Sequence, residues 1–487
     1  FQQISPEQVK SCIPILLTKL NSSFDSLEEL IELSLKEKNK IEWHKIMQPL
    51  QVISEKLRWS WGVVSHLNGV CNSKELREAY SSQQANVIRF TIRIGQSSRL
   101  YKALIALDSP TTRNLDETQK RILDAELLSM KHKGVSLKES DKEIFNSNTE
   151  RLAELSNNYS NNVIDATQNW TLLISEPDDV KGLPVMTLES MSNAANDSDS
   201  QIKSTAKKGP WLLTLDIPTY MSVITYSENR ELREKIYKAY VGRASTDDLN
   251  NEKIIEEILK IRLKQANLLG YKNWAELSLS SKMANNVDEV ESLLEELRIA
   301  SFTAAKKELN EIQDYSAEIS NNNNLAPWDI PFWSEKLKKK RFKLDQEALR
   351  EWFPLPQVLK GLFELSERLF GIAIEKETLN YPKWHKDVEL FNVLDSNGIK
   401  IASFYLDPYS RPGRKRGGAW MDECLNRNST NKSNVILPVA YLVCNQTPPL
   451  GDKPSLMSFE EVKTLFHEFG HGLQHMLTKV DYPQAAG

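Results

Sequence analysis

Three of the seven histidines of this 487-residue chain lie within nine positions, in the stretch HEFGHGLQH at residues 467–475. His467 and His471 are four residues apart, so on a helix their imidazoles lie one turn apart on the same face. Two imidazoles in that arrangement can bind one zinc ion, and Glu468 between them is suited to act as general base for a water molecule. The pattern therefore predicts a zinc-dependent hydrolytic site.

The third ligand of such a site is not evident, although a catalytic zinc ion usually has three protein ligands. The longer pattern with a third histidine needs Gly at 474 and His at 477, where the chain has Gln474 and Leu477. No glutamate follows Glu468, and the only later carboxylate, Asp481, lies in a turn-like context that suits a ligand poorly. His475, one further turn along, is interpreted as a packing or supporting residue rather than as a ligand.

The segment that carries these residues is predicted to be a buried helix from Ser458 to about Thr478. Ser458 and Glu461 have the spacing of a capping box, and apolar residues recur about twice in every turn. Gly470 and Gly472 each cost a helix roughly 1 kcal/mol relative to alanine, which indicates close approach of another backbone or of a substrate. From spacing alone, a buried helix whose histidines only hydrogen-bond in a core remains the alternative.

The sequence before this helix changes from helical to strand-like patterns. Residues 387–407 read as two strands joined at an Asn397-Gly398 turn, a strong signal for a β-hairpin. Two further segments, 416–422 and 435–445, have the composition of strands. The sequence therefore predicts a small antiparallel sheet directly before the histidine helix.

The first 170 or so residues read as consecutive helices, because apolar residues recur at steps of three and four between charges. Residues 175–210 are polar and are predicted to form a loop, either a hinge or a hairpin excursion. Residues 211–227 are strand-like, and helices follow. We therefore divide the chain into an N-terminal helical domain, residues 1–200, and a second domain, residues 201–487, that carries the site.

Composition and charge favour an ordinary globular protein. The chain is 40% hydrophobic and 26% charged, with a net charge of -4 and a pI of about 6.1, which gives no reason to expect nucleic acid or an anionic membrane as partner. The basic run at residues 336–343 is best interpreted as a solvated helix face. A reducing, cytosol-like compartment is expected, because the cysteines are few and widely spaced: Cys12, Cys71, Cys424 and Cys444.

Several segments resemble the thimet oligopeptidase family of zinc peptidases, and in particular its oligopeptidase A branch. The most diagnostic is FHEFGHGLQHML at residues 466–477, preceded by a matching segment at 444–465. The likeness extends over nearly the whole chain, with further matching segments at residues 209–224, 229–240, 329–337 and 404–422.

The resemblance implies a mainly α-helical, two-lobed, zincin-like metallopeptidase with a deep channel and the zinc ion on the channel wall. In that family the residues that match His467 and His471 are zinc ligands, and the one that matches Glu468 is the catalytic glutamate. The segment Gly417, Gly418, Ala419 and Trp420 resembles the strand edge at which the family presents main chain to substrate.

An exposed strand edge of this kind binds an extended peptide through main-chain hydrogen bonds, independently of the peptide's side chains. Without the resemblance, the glycine pair would instead be interpreted as a flexible hairpin turn. The family's third zinc ligand is a glutamate on the helix after the HEFGH helix, a position beyond Gly487. We therefore expect the catalytic domain, residues 201–487, to be incomplete at its C-terminal end.

The function predicted from the sequence is that of an endopeptidase with one zinc ion per chain, which hydrolyses short unstructured peptides, including cleaved signal or targeting peptides. A monomer in the cytoplasm is expected, or in an organelle lumen if a targeting segment precedes Phe1. The alternative is a catalytically inactive, peptide-binding relative that lacks the third zinc ligand.

Overall fold

A computed structural model of the chain describes residues 4–36, 41–108, 115–320, 324–430, 434–449 and 454–486. The helices in these ranges are α1 Pro6–Lys36, α2 Trp43–Val70, α3 Lys74–Gly95, α4 Ser98–Leu107, α5 Glu117–His132, α6 Glu139–Asn169, α7 Val185–Ser198, α8 Ile217–Tyr226, α9 Arg230–Val241, α10 Glu252–Leu268, α11 Trp274–Leu279, α12 Val287–Ser320, α13 Ile330–Phe342, α14 Gln346–Leu349, α15 Leu355–Phe370 and α16 Phe459–Met476. The strands are β1 Thr171–Ile174, β2 Trp211–Thr214, β3 Ala373–Lys376, β4 Glu389–Leu394, β5 Lys400–Tyr409, β6 Trp420–Leu425 and β7 Val439–Gln446. The predicted fold class, mainly α with a small sheet before the histidine helix, is confirmed.

The predicted run of helices before residue 170 is present as α1 to α6. Their apolar stripes meet in one core, to which Phe24, Ile46, Leu104 and Leu123 contribute fully buried side chains. Burial of a side chain of this size stabilises a fold by about 1.5–3 kcal/mol. No helix among the described residues combines the length and the apolar composition that crossing a membrane requires.

The polar stretch after β1 contains a helix that the sequence did not predict. β1 and β2 pair antiparallel, so residues 175–210 are an excursion between two strands, but α7 occupies much of it. Met191 and Ala195 lie one turn apart on the buried face of α7, at 1% and 0% exposure. With Leu188, which packs against the same core as Met191, this apolar contact anchors a helix whose C-terminal half is largely polar, so the prediction of a loop was wrong there.

The strand predicted for residues 211–227 is also shorter than expected. It ends at Thr214, because the Asp216 side chain accepts a hydrogen bond from the backbone N–H of Thr219 (3.1 Å) and caps α8. The division of the chain into domains at residue 200 stays a prediction.

The larger sheet has the strand order β3-β4-β5-β7-β6. The hairpin between β4 and β5 turns at residues 395–399, where Gly398 has a φ of 75° that favours glycine. One feature departs from the predicted antiparallel arrangement: β5 and β7 pair in parallel. The reason is that β6 lies at the outer edge and β7 returns between β5 and β6, where it is antiparallel to β6.

Candidate active site

The start of α16 is fixed by the predicted capping box. Ser458 Oγ accepts from the Glu461 N–H (3.2 Å), and a Glu461 carboxylate oxygen accepts from the Ser458 N–H (2.6 Å). The same carboxylate accepts hydrogen bonds from the Thr447 N–H (2.9 Å) and from the Arg350 guanidinium (3.0 Å). The capping box therefore also ties the helix to the end of β7.

One face of α16 packs on the sheet through buried residues that include Leu465, Phe469 and Met476. The close approach predicted for the two helix glycines is found at Gly472, where an added Cβ would lie 3.0 Å from the Leu442 side chain of β7. At Gly470 no atom lies within 4 Å of such a Cβ, apart from the two neighbouring residues and the backbone of the adjoining turns of α16.

The two histidines of the HEFGH motif project from the opposite, exposed side of α16. Their Nε2 atoms are 3.2 Å apart and their rings are nearly perpendicular. Two imidazole nitrogens bound to one tetrahedral zinc ion, each at about 2.0–2.1 Å, lie about 3.3 Å apart. The pair His467 and His471 therefore has the spacing that a shared zinc ion requires.

Glu468 lies on the same helix but is buried, with 8% of its surface exposed. It borders a cleft of about 430 Å³ between α16 and β6, which we call the histidine cleft. The lining residues are Ala419, Trp420, Met421, Glu423, Glu468, His471, Gln474 and His475. The structure thus brings Glu468 and His471 into one cleft with the predicted edge segment.

A third ligand is not supplied within the part of the chain that the structure describes, where no three His, Cys, Asp or Glu side chains form a metal-binding group. Asp481 accepts a hydrogen bond from the Ser429 hydroxyl, and its carbonyl accepts from the Ser429 N–H (2.9 Å). His475 is 1% exposed, and its Nε2 lies 3.0 Å from the Leu425 carbonyl oxygen. Because a carbonyl only accepts, that nitrogen carries the proton, and His475 holds α16 against the end of β6.

The segment Gly417, Gly418, Ala419 and Trp420 leads into β6, one of the two edge strands of the larger sheet among the described residues. Gly418 has a φ of 90°, a conformation that side chains other than glycine rarely adopt. β6 pairs on one side with β7, with Trp420 opposite Val443. Its other edge is not paired with a strand of the described residues, and the histidine cleft lies between β6 and α16.

A buried charge cluster that the sequence reasoning missed fixes the loop before this edge. Asp407, at the end of β5, accepts hydrogen bonds from both Nη atoms of Arg411 (2.7 and 2.6 Å) and from Nζ of Lys415 (2.9 Å). The Lys415 ammonium also donates to the carbonyls of Tyr409 (2.8 Å) and Cys444. The available signal was an aspartate inside an apolar strand, followed by cations four and eight residues later.

The same loop contacts the end of α2. Arg411 donates to the Val70 carbonyl (3.1 Å), the Asn72 N–H donates to the Arg414 carbonyl (2.7 Å), and the Arg416 N–H donates to the Gly69 carbonyl (2.8 Å). Residues 410–418 are thus held between the helical layer and the sheet, which places the edge segment relative to α16.

A mainly helical fold in which an HExxH helix packs on a small sheet with an open edge strand is typical of zincin-like metallopeptidases. The model of peptidase family M3 matches residues 223–487, and that of the neurolysin/thimet oligopeptidase N-terminal domain matches residues 13–142. The chain belongs to peptidase family M3, which confirms the resemblance described above.

The chain is similar over its whole length to several curated proteins. It is 42% identical to an organellar oligopeptidase A, chloroplastic/mitochondrial, of Arabidopsis thaliana, and 42% identical to a probable cytosolic oligopeptidase A of the same plant. It is 38% identical to oligopeptidase A of Escherichia coli strain K12. The chain spans 61%, 69% and 70% of the lengths of these three relatives, respectively.

Among solved structures, PZ peptidase A with an inhibitor aligns with 94% of the chain and 62% of its own length. The TM-score is 0.50 and the sequence identity 13%. At that identity the likeness concerns the fold alone, and it agrees with the helical architecture found here.

Proposed function

We propose that the protein is a zinc-dependent endopeptidase that hydrolyses short, unstructured peptides. The observation that carries the proposal is the 3.2 Å separation of the His467 and His471 Nε2 atoms, beside a buried glutamate and an open strand edge. The names of the oligopeptidase A relatives support oligopeptides as the substrate class.

In this proposal His467 and His471 hold one zinc ion per chain through their Nε2 atoms. When bound, zinc supplies Lewis acidity, which lowers the pKa of a water molecule and polarises the carbonyl of the scissile bond. Glu468 takes a proton from the attacking water and delivers it to the nitrogen of the departing amine. Its position in the histidine cleft, which His471 also lines, supports this role.

The peptide lies extended along β6 in this mechanism. The segment Gly417, Gly418, Ala419 and Trp420 offers main-chain groups to it, so binding depends little on the sequence of the peptide. The fixed loop of residues 410–418 means that this edge needs little reordering when a peptide binds.

The test compares Glu468→Gln and His467→Ala with Glu296→Gln, which removes an exposed carboxylate of α12 that lines none of the clefts described here. Zinc content is measured by elemental analysis and cleavage of an unstructured peptide by mass spectrometry. Glu468→Gln should keep zinc and lose turnover by about 10²–10⁴-fold, His467→Ala should lose both, and Glu296→Gln should change neither. Near-normal turnover in Glu468→Gln would refute the assignment.

A second candidate function is peptide binding without turnover. It is favoured by the unpaired edge of β6, which can bind an extended peptide through main-chain hydrogen bonds whether or not the histidine pair holds zinc. For this candidate, the 487-residue chain would bind peptides, hold zinc weakly or not at all, and show no cleavage dependent on Glu468. A reducing compartment and a monomeric state remain our expectations for either function.

A further inference from the structure

A second cleft, of about 690 Å³, meets the edge segment at Gly417 and Gly418. It lies between α6, the region after α9 and the loop of residues 410–418. We call it the basic cleft, because the charged residues that line it are four cations and one carboxylate: Arg243, Arg411, Lys415, Arg416 and Asp216.

Three of these five charges are already engaged. Arg411 and Lys415 bind the buried carboxylate of Asp407. Asp216 caps α8 and accepts a hydrogen bond from the Thr214 hydroxyl (2.5 Å). The remaining two cations, Arg243 and Arg416, have no carboxylate within ion-pair distance among the residues that the structure describes.

Arg243 is held in a defined position without such a carboxylate. Its Nε donates to the Tyr240 carbonyl (2.8 Å) and its Nη1 to the Thr167 hydroxyl (3.2 Å). The guanidinium lies 3.7 Å from the centre of the Tyr240 ring, which in turn stacks on Tyr220 at 3.8 Å. The contacts fix the plane of the guanidinium and leave Nη2 without a hydrogen-bond partner in the described part of the chain.

Arg416 connects the basic cleft with the edge strand. Its guanidinium lies 4.6 Å from the ring centre of Trp420, the first residue of β6. Its backbone is fixed by the Gly69 carbonyl (2.8 Å) and by the Asn445 side chain, which donates to the Arg416 carbonyl (2.8 Å). The charge is therefore placed where a peptide on β6 would leave the strand edge.

We propose that the basic cleft binds a carboxylate of the peptide substrate through Arg243 and Arg416. The carboxylate is either the side chain of an aspartate or glutamate or the C-terminal carboxylate of the peptide. The proposal rests on the proposed function, because it assumes a peptide along β6. Guanidinium groups bind carboxylates through paired, charge-assisted hydrogen bonds, and a guanidinium already oriented by its neighbours loses little freedom on binding.

A neighbouring cleft has the opposite charge and supports this assignment. The acidic cleft, of about 510 Å³, also meets the edge segment, at Gly418 and Ala419. Its charged lining residues are Glu335, Glu347, Glu460, Glu461, Lys338 and Arg350. The excess of negative charge disfavours a peptide carboxylate in the acidic cleft. The two clefts together therefore favour an orientation of the peptide that places its carboxylate in the basic cleft.

The test measures affinity rather than turnover. Fluorescence anisotropy of labelled nonapeptides is recorded with the 487-residue chain carrying Glu468→Gln, so that the peptide is not consumed. The peptides form two matched pairs: internal Glu against Gln, and a free against an amidated C-terminus. We expect about tenfold tighter binding, or about 1.4 kcal/mol, for the charged member of one pair, which then identifies the source of the carboxylate.

Arg243→Gln and Arg416→Gln should each reduce this preference to threefold or less, while Lys235→Gln, an exposed lysine on α9, should retain it. Equal affinities within both peptide pairs overturn the proposal. So does a preference that survives both arginine substitutions. The comparison within each peptide pair uses the chain with both arginines intact. Equal affinities within both pairs would therefore overturn the proposal even if an arginine variant folds poorly.

Failure of the proposed function gives a different result. A charged-peptide preference without any hydrolysis by the chain that retains Glu468 refutes the peptidase assignment for the 487-residue chain and keeps the basic cleft. Hydrolysis of charged and neutral peptides at equal affinity keeps the peptidase assignment and refutes the basic cleft. Added salt should weaken the preference, because the guanidinium of Arg416 is exposed.

Discussion

Two fully buried carboxylates are each held by two cations, but they fix different parts of the molecule. Asp329 binds Arg230 (2.8 Å) and Arg233 (2.9 Å), and so joins α9 to the start of α13. Asp407 binds Arg411 and Lys415, and so joins β5 to the loop that precedes the edge strand. The same combination of charges thus supports helix packing in one region and the geometry of a candidate site in the other.

Burial and charge pairing therefore do not by themselves indicate function. A buried ion pair is costly to break wherever it lies, because one charge is then left without compensation. Asp407 differs from Asp329 in the position of its two cations. Arg411 and Lys415 belong to the loop of residues 410–418, and the same loop contains Gly417 and Gly418 of the edge segment. Loss of either carboxylate should therefore destabilise the fold, and only loss of Asp407 should weaken peptide binding.

The largest expected effect is on stability. Asp329→Asn and Asp407→Asn should each lower the free energy of unfolding by about 3–5 kcal/mol, since each leaves buried cations without their counter-charge. Equilibrium unfolding in urea measures the change. A loss below about 1 kcal/mol at Asp407 would contradict the view that its cluster holds the loop in place.

Acidification should reduce the stability that both buried carboxylates contribute to the fold, because both have lowered pKa values. Burial alone would raise the pKa of Asp407, but hydrogen bonds from Arg411 and the charge of Lys415 outweigh it, so the pKa is lowered. The pKa of Asp329 is lowered likewise, by its two arginines against the effect of burial.

A carboxylate with a lowered pKa in the folded state contributes stability above its unfolded pKa of about 3.9, and that contribution is lost as the pH falls through the folded value. The difference in free energy of unfolding between the unsubstituted chain and either asparagine variant should therefore have its maximum value at pH 6. It should decrease below about pH 4. Urea unfolding at a series of pH values measures this gap. A gap that is constant down to pH 3 would be inconsistent with ionised carboxylates.

Peptide affinity should separate the two regions. Asp407→Asn should weaken binding of a neutral unstructured peptide about tenfold, or about 1.4 kcal/mol, because the edge segment loses its fixed position. Asp329→Asn should remain within twofold of the unsubstituted chain. Peptide affinity is measured by fluorescence anisotropy at a temperature where both variants are folded. Equal losses of affinity in the two variants would show that the Asp407 cluster has no special role in peptide binding.

The smallest expected change in stability is at Gly470 and Gly472 of α16, which lie outside both carboxylate clusters. Gly470→Ala should stabilise the fold by up to about 1 kcal/mol, because alanine favours a helix and no atom lies near the new methyl group. Gly472→Ala should lose that gain or destabilise, because its methyl group would meet Leu442 at 3.0 Å. Thermal unfolding measures the stability of both variants. A Gly472→Ala variant more stable than the unsubstituted chain would argue against tight packing of α16 on β7.

Local patterns predicted the elements that carry the candidate site. The capping box at Ser458 and the apolar stripe predicted α16, the four-residue spacing predicted the histidine pair, and the Asn397-Gly398 dipeptide predicted the hairpin. Each of these signals lies within about ten residues of the feature that it specifies.

Features set by distant contacts could not be predicted in this way. α7 depends on Met191 and Ala195 meeting a core built from other segments, and the parallel pairing of β5 with β7 depends on where β6 lies. The basic cleft joins Thr167, Arg243 and Arg416, which are separated by 76 and 173 positions in the sequence. No periodicity or motif connects residues at such separations.

The open edge of β6 also bears on association between copies of the protein. An edge strand is a template for any extended chain, including a strand of a second molecule. β6 is only six residues long and carries Asp422 and Glu423, and Glu423 is paired with Arg58 of α2 at 2.6 Å. A short, charged edge tied to a helix resists growth of a sheet from one molecule to the next, while its main chain stays available to a flexible peptide.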